Sequence, residues 1–222
     1  MDECYLTDRI AKVVMDLERL TSTVRAMGTA NIRRYPENYS SLSSDAARRS
    51  EQITCRLRHL VYETSEIRKG DYLQSAADAQ GIEIQQMGDI IRIALPGLVP
   101  KRRRRQNPEY LLEPFTTALS RYVENHELPS YEHCVICFAH VYDKKLPERR
   151  VRDYDNLELK QLLDVATSFI LPDDGGLLCD AYHTTELGER DCTLMFIMDS
   201  RRFPKWLSER QPLITAIKDF SA

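Results

Sequence analysis

Five aspartates between residues 153 and 174 are the side chains whose types and spacing best suit chemistry. Asp153 and Asp155 lie in the string Arg152-Asp153-Tyr154-Asp155-Asn156, where a loop is expected to meet a helix. Asp173 and Asp174 precede two glycines at the start of the next expected strand. Converging carboxylates repel one another unless a divalent cation neutralises them, and oxygen ligands favour Mg²⁺ or Mn²⁺. Such a site can hydrolyse phosphodiester bonds.

The convergence of these carboxylates depends on local backbone structure. On extended backbone Asp153 and Asp155 point to the same side, because alternate residues of a strand share a face. The loop over residues 170–176 must then fold back to bring Asp173 and Asp174 to them. Lys160 lies about a turn and a half from Asp155 on the expected helix, where it can hold a phosphate or stabilise the transition state.

The same residues also have ordinary structural interpretations. Asp-x-Asp-Asn before a helix is a common capping sequence, in which an aspartate accepts hydrogen bonds from helix amides. Asp-Asp-Gly-Gly is a common turn sequence. Each motif taken alone therefore leaves a structural role open.

Two basic stretches stand out in a chain whose formal net charge is −3. A loop after an expected strand and a segment before the aspartates supply the positive charges that a nucleic-acid backbone requires. Charge runs are also found in ordinary solvated loops. The residues predicted to bind nucleic acid are Lys101, Arg102, Arg103, Arg104, Arg105, Arg149, Arg150 and Arg152.

Heptad spacing predicts two helices in the first third of the chain. The first seam contains Leu6, Ile10, Val13, Leu17, Leu20, Val24 and Met27. A loop over Ala30–Ser43 separates it from the second seam, which contains Ala46, Ser50, Ile53, Leu57, Leu60, Thr64 and Ile67. Two narrow seams joined by a loop predict an antiparallel helical hairpin.

After Gly81 the pattern changes to short strands alternating with helices. Strands are expected around residues 82–84, 91–95, 132–142, 177–183 and 192–198, and helices around residues 112–125, 155–168 and 204–220. The strand over Glu132–Tyr142 is apolar enough to be buried on both faces. We therefore predict an α+β fold with a helical arm at residues 1–80 and an α+β domain at residues 81–222.

The string Arg-Asp-x-Asp-Asn-Leu, a helical Lys-x-x-x-Asp and the later Asp-Asp pair together resemble the RusA family of Holliday junction resolvases. The resemblance covers the pattern of residues 90–200 and the motifs of residues 152–178. It implies a dimeric, Mg²⁺-dependent endonuclease acting on branched or structured DNA, with a mixed sheet and helices on one face. By position, Asp153, Asp155 and Asp174 correspond to the metal ligands, Asp173 can replace Asp174, and Lys160 corresponds to the catalytic lysine. The chain also resembles uncharacterised proteins of bacterial mobile elements.

A rival interpretation is a non-catalytic module that binds nucleic acid or protein and retains the RusA-like fold. Three residues separate Asn156 from Lys160 where the family has two, and the arm at residues 1–80 is an addition. Both features and the acidic net charge favour the rival, whereas the aspartate spacing favours the enzyme. The arm predicts dimerisation or a protein partner in either case.

Composition and cysteine usage narrow the class of protein. The 222 residues are 42% hydrophobic and 29% charged, as in a globular protein. No apolar run approaches the roughly 20 residues of a membrane span, so no membrane association is expected. The acidic start shows no secretory signal, and six cysteines in mostly apolar patterns predict a reduced, cytoplasmic protein.

The string His133-Cys134-x-x-Cys137-x-x-His140 resembles a zinc motif. Residues three apart on a strand face opposite sides, so Cys134 and Cys137 are not expected to share one ion.

Overall fold

The computed structural model describes residues 3–99, 109–129, 131–148, 151–171 and 175–215. The chain divides into two compact units, Met1–Lys69 and Gly70–Ala222. None of the described helices combines the length and the apolar character that crossing a bilayer requires.

The first unit is the predicted helical hairpin. Helix α1 spans Glu3–Thr29 and helix α2 spans Pro36–Thr64. Arg9 pairs with Glu63, and Asp16 pairs with Arg56. These two ion pairs show that the helices run antiparallel, because the partner number falls as the α1 number rises. The predicted loop is shorter than expected, since Pro36 begins α2; proline is well suited to the first turn of a helix.

Only part of each predicted seam lies between the two helices. Val13 of α1 and Ile53 of α2 are buried, whereas Leu17 of α1 and Leu57 of α2 are each 43% exposed. The ion pairs explain the difference. They place the side of α1 that carries Arg9 and Asp16 against α2, so the side that carries Leu17 stays exposed.

The described residues of the second unit form a five-stranded mixed sheet with four α-helices. The strand order is β1-β2-β5-β3-β4; β3 and β4 are parallel, and the other neighbours are antiparallel. This confirms the predicted α+β class. The elements are α3 (Lys69–Gln80), β1 (Glu83–Met87), β2 (Ile90–Pro96), α4 (Glu109–Asn125), β3 (Cys134–Asp143), α5 (Lys160–Ile170), β4 (Cys179–Gly188), β5 (Cys192–Asp199) and α6 (Phe203–Thr215).

Helices cover both faces of this sheet. Ile136 and Phe138 of β3 pack with residues of α3, α4 and α5, whereas Val135 and Ala139 pack with Trp206 of α6. The structure thus differs from the expectation of helices on one face. The reason is that β3 is apolar at every position from Cys134 to Ala139, so each face needs a covering helix.

Helix α3 belongs mainly with the sheet although the sequence had assigned it to the arm. Gln80 donates a hydrogen bond to the carbonyl oxygen of Tyr110 at 2.8 Å, and Arg121 pairs with Asp71 at 2.6 Å. Ala77 lies in the core cluster that α4 and α5 cover. These contacts place the division between units at residues 69 and 70 instead of residue 80.

Helix α5 begins five residues later than the predicted start at Asp155. A 3₁₀ turn covers Tyr154–Asn156, and Leu157 then returns to extended backbone with φ −100° and ψ 146°. This extended residue is buried in the core cluster, and α5 starts only after it, at Lys160. The helical spacing assumed between Asp155 and Lys160 is therefore wrong.

Candidate active site beside the end of β3

The segment of residues 151–157 lies against β3 and β4 and carries the first aspartate pair. The backbone N–H of Arg152 donates a hydrogen bond to the hydroxyl of Tyr142 at 3.1 Å, which attaches the segment to β3. The Arg152 guanidinium also donates to the carbonyl oxygen of Val99 at 3.1 Å. Leu157 anchors the far end of the segment in the core. These contacts give the two aspartates a defined support.

Tyr154 covers a pair of histidines on the sheet. Its ring centroid lies 5.5 Å from that of His140 on β3 and 5.1 Å from that of His183 on β4. The two histidine rings are 6.0 Å apart, and Phe138 stacks on His183 at 5.4 Å. The Tyr154 hydroxyl and the hydroxyl of Thr185 are hydrogen-bonded at 2.9 Å.

The strand register brings this aromatic cluster together. In the parallel pairing of β3 and β4, Phe138 lies opposite His183 and His140 lies opposite Thr185. Alternate residues share a face, so all four side chains project from one side of the sheet. Tyr154 then closes over them.

Burial favours the neutral form of both histidines. His140 is 1% exposed, and burial together with the nearby His183 lowers its pKa from 6.5 to about 4. Burial also lowers the pKa of His183. Three ring nitrogens of this cluster have no hydrogen-bond partner among the described residues: both nitrogens of His140 and Nδ1 of His183. Buried polar atoms usually have such partners, so these ring nitrogens distinguish the cluster from ordinary core side chains.

Asp153 and Asp155 flank Tyr154, and both are exposed. Asp153 is extended, with φ −67° and ψ 141°, but Asp155 lies inside the 3₁₀ turn. The prediction that both point to one side by strand alternation is therefore wrong, since the backbone turns between them. Asp153 makes no side-chain capping bond to the turn, and α5 has Leu159 at its N-cap without a side-chain capping bond. Helix capping thus does not account for this pair.

Lys160 is the first residue of α5 and is exposed. Its Nζ lies 2.9 Å from both carboxylate oxygens of Asp164, one turn along the helix. The predicted catalytic lysine is therefore held in a local ion pair.

Several predicted site residues lie outside the described part of the chain. They are Asp173, Asp174, Lys101, Arg102, Arg103, Arg104, Arg105, Arg149 and Arg150. Arg152 is described and half-buried, and it supports the aspartate segment through Val99.

Among the described residues, no set of three or more His, Cys, Asp or Glu side chains is placed to hold a metal ion. The zinc motif of β3 does not assemble, since Cys134 and Cys137 lie in core clusters on opposite faces of the sheet, as predicted.

The histidine cluster was not predicted from the sequence. The available signal was that Phe138, His140 and Tyr142 alternate on one face of an otherwise apolar strand. His183 was out of reach, because only the pairing of β3 with β4 makes it a neighbour.

Comparison with known proteins identifies the family. The model of a family of unknown function, DUF6100, matches residues 2–221, and the chain belongs to that family. No curated protein matches the chain. Among solved structures, the periplasmic domain of Helicobacter pylori MotB (residues 90–256) is similar over 63% of this chain and 92% of that chain, at 9% identity and a TM-score of 0.34.

Proposed function

We propose that this DUF6100 member is an endonuclease that uses Mg²⁺ or Mn²⁺ to hydrolyse phosphodiester bonds of branched or otherwise structured DNA. The observation that carries the proposal is the exposed pair Asp153 and Asp155. Neither carboxylate caps a helix, and both lie beside Tyr154 in the segment of residues 151–157. The resemblance to the RusA family points to the same pair.

Carboxylate oxygens are the kind of ligand that the proposed metal prefers. Mg²⁺ takes one or two carboxylates and fills its remaining positions with water and substrate phosphate. Asp153 and Asp155 would supply those carboxylates, and Asp173 and Asp174 are proposed as further ligands. The chemistry that such an ion would supply is activation of a water molecule and stabilisation of the leaving oxygen.

Lys160 is proposed to contact the phosphate or the transition state. Its pairing with Asp164 does not prevent this, because exposed ion pairs are weak and exchange partners readily. The side chain of Lys160 is 67% exposed and that of Asp164 is 40% exposed.

The proposed DNA contacts are electrostatic. Lys101–Arg105 and Arg149–Arg152 would neutralise backbone phosphates, which positions DNA without reading its sequence. A homodimer would present two such sites to a branched substrate. We propose a cytoplasmic location, which the six cysteines in mostly apolar patterns favour because thiols stay reduced there.

The test is cleavage of a labelled four-way DNA junction, with linear duplex, single-stranded DNA and an RNA hairpin alongside. Each substrate is incubated with the full chain and millimolar Mg²⁺ or Mn²⁺. Asp155→Asn should abolish cleavage, because the amide is neutral and a poor metal ligand.

Asp180→Asn is the matched control for this experiment. Asp180 is an exposed aspartate of β4, outside the segment, so its amide variant should cut like the natural chain. If no substrate is cut with either metal, or if Asp155→Asn cuts as well as Asp180→Asn, the nuclease proposal is wrong.

A second candidate is a non-catalytic module that binds nucleic acid or protein. The Lys160–Asp164 pair favours it, since the predicted catalytic lysine is engaged locally. This candidate predicts junction binding that weakens with salt but no cleavage, which fluorescence anisotropy on the same substrates would reveal.

A further inference from the structure

Helix α1 carries more apolar surface than α2 covers. An inner stripe of Leu6, Val13, Leu20 and Met27 is half-buried to buried in the hairpin. An outer stripe consists of Ile10, Val14, Leu17 and Val24, whose exposed fractions are 47%, 47%, 43% and 51%. Residues four apart on a helix differ by about 40° around its axis, so the two stripes are adjacent.

The ion pairs of the hairpin explain why the outer stripe stays open. Arg9 and Asp16 lie on the opposite side of the inner stripe from Ile10 and Leu17, and both pair with α2. Helix α2 therefore covers that side of α1. Leu57, at the corresponding offset from buried Ile53 on α2, is also 43% exposed.

The outer stripe has the spacing of a coiled-coil seam. Ile10, Val14, Leu17 and Val24 follow steps of four, three and seven residues, which is the 3.5-residue period that lets two helices interlock side chains. Thr21 occupies the remaining seam position. A strip with this period fits another helix better than it fits a flat or irregular surface.

We propose that a second copy of this chain covers the outer stripe, so that two hairpins form a four-helix bundle. The stripe is self-complementary, because Ile10 and Val24 are each seven residues from Leu17. A two-fold axis that places Leu17 beside Leu17 of a second copy also places Ile10 beside its Val24, as an isologous contact requires.

The face of the hairpin that contains the outer stripe has the size of a dimer interface. Helix α1 has 27 residues and is therefore about 40 Å long, and two helices at normal spacing are about 20 Å wide, so this face measures roughly 800 Å² per copy, the usual area per partner of a specific interface. The outer stripe, about 21 Å long, would form the apolar centre of that face, and the polar residues beside it would form the rim. This inference does not depend on the proposed nuclease function.

The test is sedimentation equilibrium of the full chain over about 1 to 100 μM. We expect a species of twice 25.8 kDa. Leu17→Glu should raise the dissociation constant at least tenfold, because it places a charge in the apolar seam. Val24→Glu, near the end of the stripe, is a second variant with the same expectation.

Met15→Glu is the matched control. Met15 is 49% exposed on the same helix but lies outside the outer stripe, so its variant should dimerise like the natural chain. Circular dichroism verifies that each variant remains helical. A monomer at all concentrations overturns the proposal, as does a dimer that Leu17→Glu leaves intact or that Met15→Glu weakens equally. A monomer in which the stripe is protected from hydrogen exchange would indicate docking within the chain, and would also overturn it.

Discussion

The Tyr154 ring stacks on the His183 ring with 5.1 Å between centroids. The tyrosine belongs to the turn before α5 and the histidine belongs to β4, so this contact joins the aspartate segment to the sheet. The two predicted metal ligands Asp153 and Asp155 are the immediate neighbours of Tyr154. Their position therefore depends on a contact between residues 29 positions apart, and not on the local sequence alone.

Replacing Tyr154 should loosen the aspartate segment. Tyr154→Phe removes only the 2.9 Å bond to Thr185 and should cost about 0.5 kcal/mol, since the tyrosine is partly exposed. Tyr154→Ala also removes both histidine contacts and should cost more. Urea unfolding measures both values, and hydrogen exchange over residues 151–157 should accelerate in Tyr154→Ala.

A double-mutant cycle with Thr185→Val tests the hydroxyl bond separately. If the bond stabilises the segment, Tyr154→Phe and Thr185→Val should be less costly together than the sum of their single effects. Additive losses would show that this bond contributes nothing.

The buried histidine should make the protein less stable in mild acid. The pKa of His140 is about 4 in the folded chain and about 6.5 in the unfolded chain, so the unfolded chain binds more protons between these values. Stability should thus fall as pH drops from about 6.5 to 4, by on the order of 3 kcal/mol from this residue. Urea unfolding at a series of pH values measures the slope.

His140→Phe isolates this contribution, because it keeps a stacked ring and removes the titrating group. The variant should show a flatter pH dependence than the natural chain between pH 4 and 6.5. Identical slopes in the two proteins would contradict the assignment.

Lys160 and Asp164 can be separated by kinetics if the chain cuts DNA. Lys160→Met should slow cleavage by about a hundredfold or more, the usual effect of removing a group that stabilises transition-state charge. Asp164→Asn releases Lys160 from its ion pair and should leave the rate equal or higher. A slow Asp164→Asn with an unaffected Lys160→Met would reverse these roles.

Trp206 attaches α6 to the second face of the sheet. It is fully buried, and its ring lies 5.3 Å from that of Phe196 on β5. Trp206→Ala should cost about 3–5 kcal/mol through the cavity it creates, measured by urea unfolding with circular dichroism. Trp206→Phe should cost far less, because it also removes an indole N–H that has no partner among the described residues. Equal losses would mean that packing volume is not what Trp206 supplies.

The repeating patterns of the sequence were sufficient to predict the elements and the fold class. The heptads of residues 6–27 predicted α1, and the apolar run in residues 132–142 predicted a strand buried on both faces, as β3 is. A strand buried on both faces needs a covering helix on each face, whereas the resemblance to the RusA family had predicted helices on one face only. The exposure of Asp153 and Asp155 followed from no pattern, because it depends on where α5 begins.

Tertiary contacts decided which predicted residues meet. The predicted seam of α1 contained the inner stripe and part of the outer stripe, and the ion pairs of Arg9 and Asp16 mark the side that faces α2. Leu157 is extended and buried in the core, and α5 begins only after it, at Lys160. Asp155 lies in a 3₁₀ turn, so the alternation of side chains along a strand does not apply to Asp153 and Asp155.

The sequence by itself determined the periodic elements, the α+β class and the opposite facing of Cys134 and Cys137, because these follow from spacing within a few residues. The cluster of Tyr154, His140 and His183 was decided only by the tertiary structure. The parallel register of β3 and β4 joins positions more than 40 residues apart, and no local period encodes which of them become neighbours.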